Sequence, residues 1–99
     1  MRIVWTPEAT TTYENELHYI LDRFGARVAL SFAKNTLHCI HLIQQGLIDA
    51  PYSKSTNAYF LVLSKQSTLV YRWNTDKSQL IILLFWNNKR DPKGLDIKQ

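Results

Sequence analysis

This sequence has little of what small proteins use to reinforce a weak core. It contains one cysteine, three glycines and three prolines. A single cysteine excludes an internal disulfide and fits a reducing compartment, so we expect a cytoplasmic protein. The three glycines stand isolated along the chain, which argues against a glycine-rich loop that binds phosphate groups.

Long apolar segments are also missing. The longest uninterrupted apolar run, Leu80 to Trp86, has seven residues, whereas a membrane-spanning helix needs about 20. Near the N-terminus only Ile3–Trp5 is apolar before Thr6 and Pro7 interrupt the run. The sequence therefore predicts neither a membrane span nor a secretory signal, and no membrane partner.

What remains is the composition of an ordinary globular domain. Hydrophobic residues make up 45% of the chain and charged residues 20%, which is typical of a folded protein. We expect one domain over residues 1–99, with a polar, flexible tail over 94–99. Lysine and arginine number 12 against 8 aspartate and glutamate, which gives a net charge of +4. This balance favours anionic partners such as nucleic acid or an acidic protein segment.

The first half of the sequence predicts a short strand and two helices. Arg2–Trp5 is rich in β-branched and aromatic residues, as strands are. Thr6 is a predicted N-cap and Pro7 a predicted first helical residue. Apolar residues then recur at steps of three and four until Gly25, which predicts a helix. A second helix follows at once and ends at Gly46, so the two helices form a hairpin that a sheet must cover.

The second half of the sequence predicts three strands. After a loop at 47–57, strand character appears over Ala58–Leu63, Thr68–Trp73 and Gln79–Trp86, with turn-forming residues between them. The last run has no polar alternation, so we expect an inner strand with both faces covered or a strongly curved sheet. The predicted fold is α+β: an N-terminal strand, a helical hairpin, and a three-stranded antiparallel meander, with one curved sheet packed on the two helices.

Metal and nucleophile sites are weakly indicated. His38 and His41 are three apart and share a helix face. No third ligand follows at a recognisable spacing, so no metal and no other cofactor is predicted. Cys39 and His18 could approach each other from different helices, but nothing in the sequence orients or activates such a pair.

The charged and aromatic residues of the helices and strands have different expected roles. Glu14 and Glu16 point to different helix faces and are expected to be solvated charges. Tyr71 and Trp73 share a sheet face, and one interpretation places this face under the helices and Arg72 on the opposite side. Arginine beside aromatic rings on a sheet can stack bases and pair phosphates. The candidate residues for such an anionic-target surface are Tyr59, Tyr71, Arg72, Trp73, Trp86, Lys89, Arg90 and Lys93.

Three stretches of the sequence resemble one protein family. They are "IVWTPEA" near the start, "TLVYRW" in the middle and "LLFWNNKRDPKGL" near the end. Together with the predicted order of elements, they resemble the RelE/ParE superfamily, the toxins of bacterial type II toxin–antitoxin systems, often labelled plasmid-stabilisation proteins. The resemblance extends from Ile3 to about Leu95. Its most specific part is the apolar last strand, which runs into an Asp/Asn-x-Arg-x-x-Pro-like turn at Asn87–Pro92.

The resemblance implies a function as well as a fold. Members of this superfamily inhibit growth and are neutralised by an antitoxin whose C-terminal segment wraps the toxin. RelE-like members enter the ribosomal A site and cleave messenger RNA, whereas ParE-like members poison DNA gyrase. The resemblance therefore implies a cognate antitoxin as partner, gyrase or the ribosome with its messenger RNA as target, and no cofactor.

The catalytic residues of the RelE-like branch are largely missing here. That branch uses basic residues on the strand that here spans 58–63, an arginine that opens the next strand, an arginine after the last strand, and a tyrosine near the C-terminus. In this sequence 58–63 reads AYFLVL, Thr68 opens the next strand, and no tyrosine follows Pro92. Metal-free RNA cleavage needs a base, an acid and a group that stabilises developing charge. The sequence is therefore closer to the ParE-like branch, with Arg90 the one catalytic candidate.

The sequence thus favours a toxin that inhibits growth by binding a macromolecular target, with gyrase-type poisoning preferred. One alternative is a ribosome-dependent endoribonuclease with a site rearranged around Arg72, Lys89 and Arg90. Another is a non-toxic relic that only binds its antitoxin. The predicted target-binding residues are Arg72, Lys89, Lys93 and Tyr59. Instead of contacting a target, Arg90 could hold its own turn by pairing with Asp49, Asp76 or Asp91.

Overall fold

Five strands and two helices make up residues 2–88, the part of the chain that this computed structural model describes. The strands are β1 (Arg2–Trp5), β2 (Tyr52–Ser53), β3 (Ala58–Val62), β4 (Ser67–Trp73) and β5 (Gln79–Asn87), and the helices are α1 (Pro7–Phe24) and α2 (Ala26–Gln44). The predicted α+β class and order are confirmed, with β2 as an addition inside the predicted loop at 47–57. The predicted flexible tail at 94–99 lies outside the described residues.

The helix ends follow the predicted capping chemistry. Thr6 is the N-cap of α1, and its side chain accepts a hydrogen bond from the Ala9 N–H. Gly25 separates the two helices with a φ of +91°, a backbone angle that residues with a side chain rarely adopt. Its N–H donates to the Leu21 carbonyl. Neither helix is long and apolar enough to cross a membrane.

The five strands form one sheet in the order β1-β5-β4-β3-β2. β3, β4 and β5 pair antiparallel, as the predicted meander requires. β1 pairs parallel with β5, a partnership that the sequence did not indicate. Parallel neighbours need a long crossover, and here the whole chain between β1 and β5 supplies it. The last strand is therefore an inner strand, as predicted.

The helices cover one face of the sheet and form the main core with it. On β4 and β5 the residues of this face include Leu69, Tyr71, Leu80 and Ile82, none of them more than 2% exposed. α1 contacts both β5 and α2. The buried residues of this core are Ala9, Ile20, Phe32, Ile40, Ile43, Leu69, Tyr71, Leu80, Ile82 and Phe85.

A bulge in β5 changes which of its residues face the helices. Val70 pairs with Leu84 while the next residue, Tyr71, pairs with Ile82, so Leu83 is one residue too many. The bulge reverses the alternation: Ile82 faces the helices before it and Phe85 faces them after it. The helices cover one face of β5 and not both, and the apolar residues of the other face lie on the side of the sheet that has no helix.

Two threonines form hydrogen bonds with the free edge of β5 beyond the end of β1. β1 stops at Trp5, so the backbone of β5 beyond Ile82 has no strand on that side. The Thr6 hydroxyl donates to the Leu83 carbonyl over 2.8 Å, and the Phe85 N–H donates to the Thr12 hydroxyl over 2.9 Å. The first turns of α1 therefore close the sheet edge at the bulge, and a buried backbone donor is satisfied from 73 residues away in the chain.

We expect Thr12→Val to lower the free energy of unfolding by about 1–2 kcal/mol, because valine has the shape of threonine but leaves the Phe85 N–H without an acceptor. Thr12→Ser should be close to wild type. Thr11→Val, the same change at an exposed neighbour, is the matched control. Urea unfolding followed by circular dichroism measures all three. Equal midpoints for the two valine variants would contradict this role of Thr12.

Candidate functional site

The face of the sheet opposite the helices, called here the open face, carries a cleft of about 370 Å³. Alternation along the strands brings Phe60, Val70 and Leu84 to this face, and they form an apolar floor. Glu8, from the first turn of α1, and Arg72, from β4, also line the cleft. The cleft thus has an apolar floor and one charged group of each sign.

Arg72 lies on the open face, opposite Tyr71, and is half-buried. Its Nε donates to the Asn57 carbonyl over 2.7 Å and its Nη2 to the Thr56 carbonyl over 3.0 Å. Asn57 has a φ of +54°, so the guanidinium holds the loop before β3 in a conformation that is uncommon for a residue with a side chain. A guanidinium has five N–H donors, so Arg72 can position this loop and still donate to an anionic group in the cleft.

Trp86 also lines the cleft and brings an indole N–H to it. It lies on β5 next to Leu84, and its indole Nε1 is buried without a hydrogen-bond partner among residues 2–88. Buried tryptophan N–H groups usually find an acceptor. Its cross-strand neighbour Thr68 instead donates to the Asn88 side chain over 2.8 Å. A bound acceptor group would remove the cost of this unsatisfied donor.

Tyr59 lies on the other side of the sheet from Arg72. Its ring is stacked on the Tyr71 ring at 5.2 Å and tilted against the Tyr52 ring at 4.9 Å, so three tyrosine rings contact one another across β2, β3 and β4. Tyr71 belongs to the core, and Trp73 packs against that core. The interpretation in which Tyr71 and Trp73 face the helices is therefore confirmed, and the structure does not bring Tyr59 and Arg72 to one face.

The cations that follow β5 lie outside the described residues, namely Lys89, Arg90 and Lys93. The last described residue, Asn88, contacts the β3–β4 turn, where its side-chain amide donates to the Lys65 carbonyl over 3.4 Å. The exposed Lys65 therefore lies at the end of the sheet from which the chain continues. Asp76 lies in the turn before β5, at the opposite end of this nine-residue strand, and its carboxylate accepts from the Ser78 N–H. Hydrogen bonds from the Ser78 side chain first, and then from the Ser78 N–H, hold the pKa of Asp76 below its usual value.

The described residues offer no metal centre and no activated nucleophile. No group of three or more histidine, cysteine, aspartate or glutamate side chains comes together among residues 2–88. Burial raises the pKa of the Cys39 thiol, which disfavours the reactive thiolate. None of the three histidines of the chain lines the cleft.

Among residues 2–88, the charged side chains that line the cleft are those of Glu8 and Arg72. Cleavage of a phosphodiester without a metal needs a proton acceptor, a proton donor and a stabiliser of charge on the phosphate. Among the residues that line the cleft, Glu8 is exposed, and Arg72 uses two of its five N–H donors on the carbonyls of Asn57 and Thr56. An apolar floor with a guanidinium at its side suits a contact surface for a larger partner.

Glu16 is buried, and the expectation that it is solvated is wrong. It is 2% exposed, and its carboxyl group accepts a hydrogen bond from the Ser67 hydroxyl, which is itself fully buried. The signal was present in the sequence: Glu16 stands three residues after Tyr13 and four before Ile20, on the apolar stripe of α1. A charged residue on such a stripe is a candidate for a buried hydrogen bond.

Comparisons with known proteins identify the fold. No family model matches the sequence, and no curated protein matches it either. Among solved structures, a chain of the chromosomal ParDE TA system from P. aeruginosa is similar with a TM-score of 0.70 and 18% identity, over 88% of this chain and 95% of that one. The YoeB/ParE toxin from Agrobacterium tumefaciens is similar with a TM-score of 0.61 and 16% identity, over 88% and 98% of the two chains.

The similarity extends over nearly the whole length of both solved chains. The chain therefore has the RelE/ParE-like toxin fold that the sequence resemblance predicts, with two helices on one sheet. At 18% and 16% identity the similarity shows the fold alone, and the activity depends on the residues of the site.

Proposed function

We propose that this protein is the toxin of a bacterial type II toxin–antitoxin system, acts in the cytoplasm, and inhibits growth by binding a macromolecular target. A cognate antitoxin neutralises it. The observation that carries the proposal is the match of fold to a ParDE system and to a YoeB/ParE toxin over 88% of the chain. Gyrase-type poisoning is the favoured mode of action.

The open face supports binding over RNA cleavage. β3 reads AYFLV, so no lysine or arginine lies on the strand where the RelE-like branch has basic residues. Among residues 2–88, Arg72 is the one cation that lines the cleft, and it is hydrogen-bonded to the loop before β3. A protein that stabilises its target complex by contact area and charge does not need the missing acid and base.

The proposed target contacts are one residue of the open face and the basic residues that follow β5 in the sequence, outside the described residues. They are Arg72 in the cleft and the basic residues Lys89, Arg90 and Lys93 that follow β5, with Arg90 as the catalytic candidate if the protein does cleave RNA. Tyr59 lies on the helix-bearing face, where its ring contacts the rings of Tyr52 and Tyr71. It would therefore contact the target only at the edge of the sheet that β2 forms.

Induction of this chain alone in a bacterial host is expected to arrest growth, with relief when the adjacent reading frame is expressed too. Transcript ends should show no codon-phased cuts. Arg90→Ala should raise the protein level that is needed for arrest by about tenfold, the loss expected for one important interface cation. Lys54→Ala, at an exposed lysine in the loop between β2 and β3, is the matched control and should act like wild type.

Each other outcome identifies a different function. Codon-phased cuts that disappear in Arg90→Ala would establish the endoribonuclease and contradict the binding mode. Normal growth with confirmed soluble protein would contradict toxicity and leave the antitoxin-binding relic. Relaxation assays with purified gyrase then decide the favoured target: unchanged supercoiling at a large excess of this protein would exclude gyrase-type poisoning.

A further inference from the structure

The cleft on the open face carries two opposite charges that do not neutralise each other. Arg72 keeps N–H donors beyond the two that it gives to the carbonyls of Thr56 and Asn57. Glu8 lines the same cleft and is exposed. Among residues 2–88 its carboxylate makes no ion pair with Arg72. Both charges are therefore available to a molecule that enters the cleft.

Glu8 and Trp86 lie together at one end of the cleft. Both also line a smaller cavity of about 170 Å³ between α1 and β5, which Arg72 does not line. The Trp86 indole N–H is buried without an acceptor among residues 2–88, and the Glu8 carboxylate offers acceptor oxygens. This end of the cleft thus lacks one acceptor and one donor, the two groups that a peptide unit supplies as its C=O and N–H.

The strand register sets the length of the cleft. Trp86 pairs with Thr68, and Arg72 lies four residues further along β4. At about 3.3 Å per residue, the backbones at Arg72 and Trp86 are about 13 Å apart along the strands. Val70 and Leu84 pair across the strands between them and form part of the floor. A free amino acid is too short to reach both ends, whereas an extended peptide of about four residues spans this length.

The cleft suits a peptide better than a nucleic-acid strand. A strand of duplex DNA carries one negative charge for about every 3.4 Å of the helix axis, so about four phosphates would lie over a length of about 13 Å. Among residues 2–88, the cleft sets one cation and one carboxylate against them, which gives no net positive charge. Its floor is apolar, with Phe60 4% and Val70 3% exposed, and this favours an apolar side chain.

We propose that the cleft on the open face binds an extended segment of a protein target, about four residues long, with an apolar side chain and one carboxylate. The carboxylate binds Arg72, and the apolar side chain lies over Phe60 and Val70. A peptide group of the segment donates to Glu8 and accepts from Trp86. The inference rests on the proposed function, which supplies a macromolecular target, and it adds the chemistry by which the target is recognised.

Synthetic tetrapeptides test the proposal on the purified full-length chain. The probes are acetyl-Ala-Phe-Ala-Asp-amide and acetyl-Ala-Leu-Ala-Asp-amide, titrated while nitrogen–proton NMR spectra record the indole N–H signals of the three tryptophans. At least one probe should shift the Trp86 signal downfield and saturate it with a Kd of about 1 mM or below, because the N–H gains an acceptor. The Trp5 signal should not move, because Trp5 packs against the core under the helices.

Matched probes and variants separate the contacts. Asparagine in place of the probe's aspartate should weaken binding about tenfold, because a charge-assisted hydrogen bond to the guanidinium is lost. Trp86→Phe keeps an aromatic ring but removes the N–H, and it should weaken binding about fivefold, the effect of one neutral hydrogen bond. Trp5→Phe, the same change on the helix-bearing face, should bind like wild type. Circular dichroism checks that both variants fold.

Growth arrest tests the same contact in the cell. Trp86→Phe should raise the protein level that is needed for arrest about fivefold, and Trp5→Phe should leave it unchanged. If no probe shifts the Trp86 signal and Trp86→Phe arrests growth at the wild-type level, the inference is wrong while the proposed function stands. If the wild-type chain does not arrest growth at all, the proposed function fails, and the inference with it.

Other occupants of the cleft give different results. If a single-stranded oligouridine shifts the Trp86 signal and the acidic probes do not, the cleft binds nucleic acid, and the inference is wrong. If the Trp86 signal shifts with protein concentration in the absence of any probe, the occupant is a second copy of the chain, which also overturns it. Equal affinities for the aspartate and asparagine probes would contradict the contact with Arg72.

Discussion

Replacing Ser67 by alanine is expected to lower the free energy of unfolding by about 1–3 kcal/mol, the usual cost of leaving a buried polar group without its partner. Ser67 is fully buried at the start of β4, and its hydroxyl donates to the carboxyl group of Glu16, which is 2% exposed. Alanine removes one oxygen atom and little volume. The loss therefore comes from the carboxyl oxygen that stays buried without a donor, and urea unfolding measures it.

A double-mutant cycle separates this hydrogen bond from packing. Glu16→Leu removes the carboxyl group but keeps an apolar side chain on the stripe of α1, and it leaves the Ser67 hydroxyl unpaired. Combined with Ser67→Ala, it removes both partners. The double variant should therefore lose less free energy of unfolding than the sum of the two single losses, by about 1 kcal/mol or more. Strict additivity would contradict the pairing. Glu14→Leu, at an exposed position of the same helix, is the control for helix effects.

The stability of this protein at alkaline pH should depend on Tyr71. Burial first of all, and then the nearby Tyr59 and Asp49, raise the pKa of Tyr71 from 10.0 to about 12. The unfolded chain loses this proton near pH 10, whereas the folded chain keeps it until about pH 12. The contribution is therefore fully present below pH 10 and is lost as the pH rises through 12.

The size of this effect follows from the linkage between proton binding and folding. Each unit of pKa difference corresponds to about 1.4 kcal/mol, so the free energy of unfolding should fall by about 2–3 kcal/mol across this interval. Tyr71→Phe should reduce the dependence of the free energy of unfolding on pH. Part of the dependence that remains comes from Tyr13, because burial raises the pKa of Tyr13 as well. Tyr52→Phe, at an exposed ring of the same stack, is the matched control. Parallel pH profiles for wild type and Tyr71→Phe would contradict the shift.

The prediction of α1 shows what local information settles. Thr6, Pro7 and Gly25 fix its ends by backbone chemistry that involves only near neighbours, and its apolar stripe follows from the helical repeat. For this reason the two helices and the three later strands were predictable within a few residues. β2 was not, since a two-residue strand has too few residues to show a pattern.

The candidate site was only partly predictable. That Arg72 lies on the face opposite Tyr71 follows from the alternation of a strand. The hydrogen bonds of its guanidinium to the carbonyls of Thr56 and Asn57 do not follow from the sequence. These residues lie 16 and 15 positions before Arg72 and meet it only when β3 pairs with β4. The cleft likewise forms only when the first turn of α1 lies beside the strands of the open face.

By itself the sequence determined the elements, their order and the net positive charge, because each of these depends on residues that are close in the chain or on composition alone. Only the tertiary structure decided the parallel pairing of β1 with β5, the bulge at Leu83 and the pairing of Glu16 with Ser67. Thr6 reaches its acceptor on Leu83 across 77 positions, and Ser67 reaches Glu16 across 51. Such contacts depend on the packed arrangement of the whole domain, which no local pattern encodes.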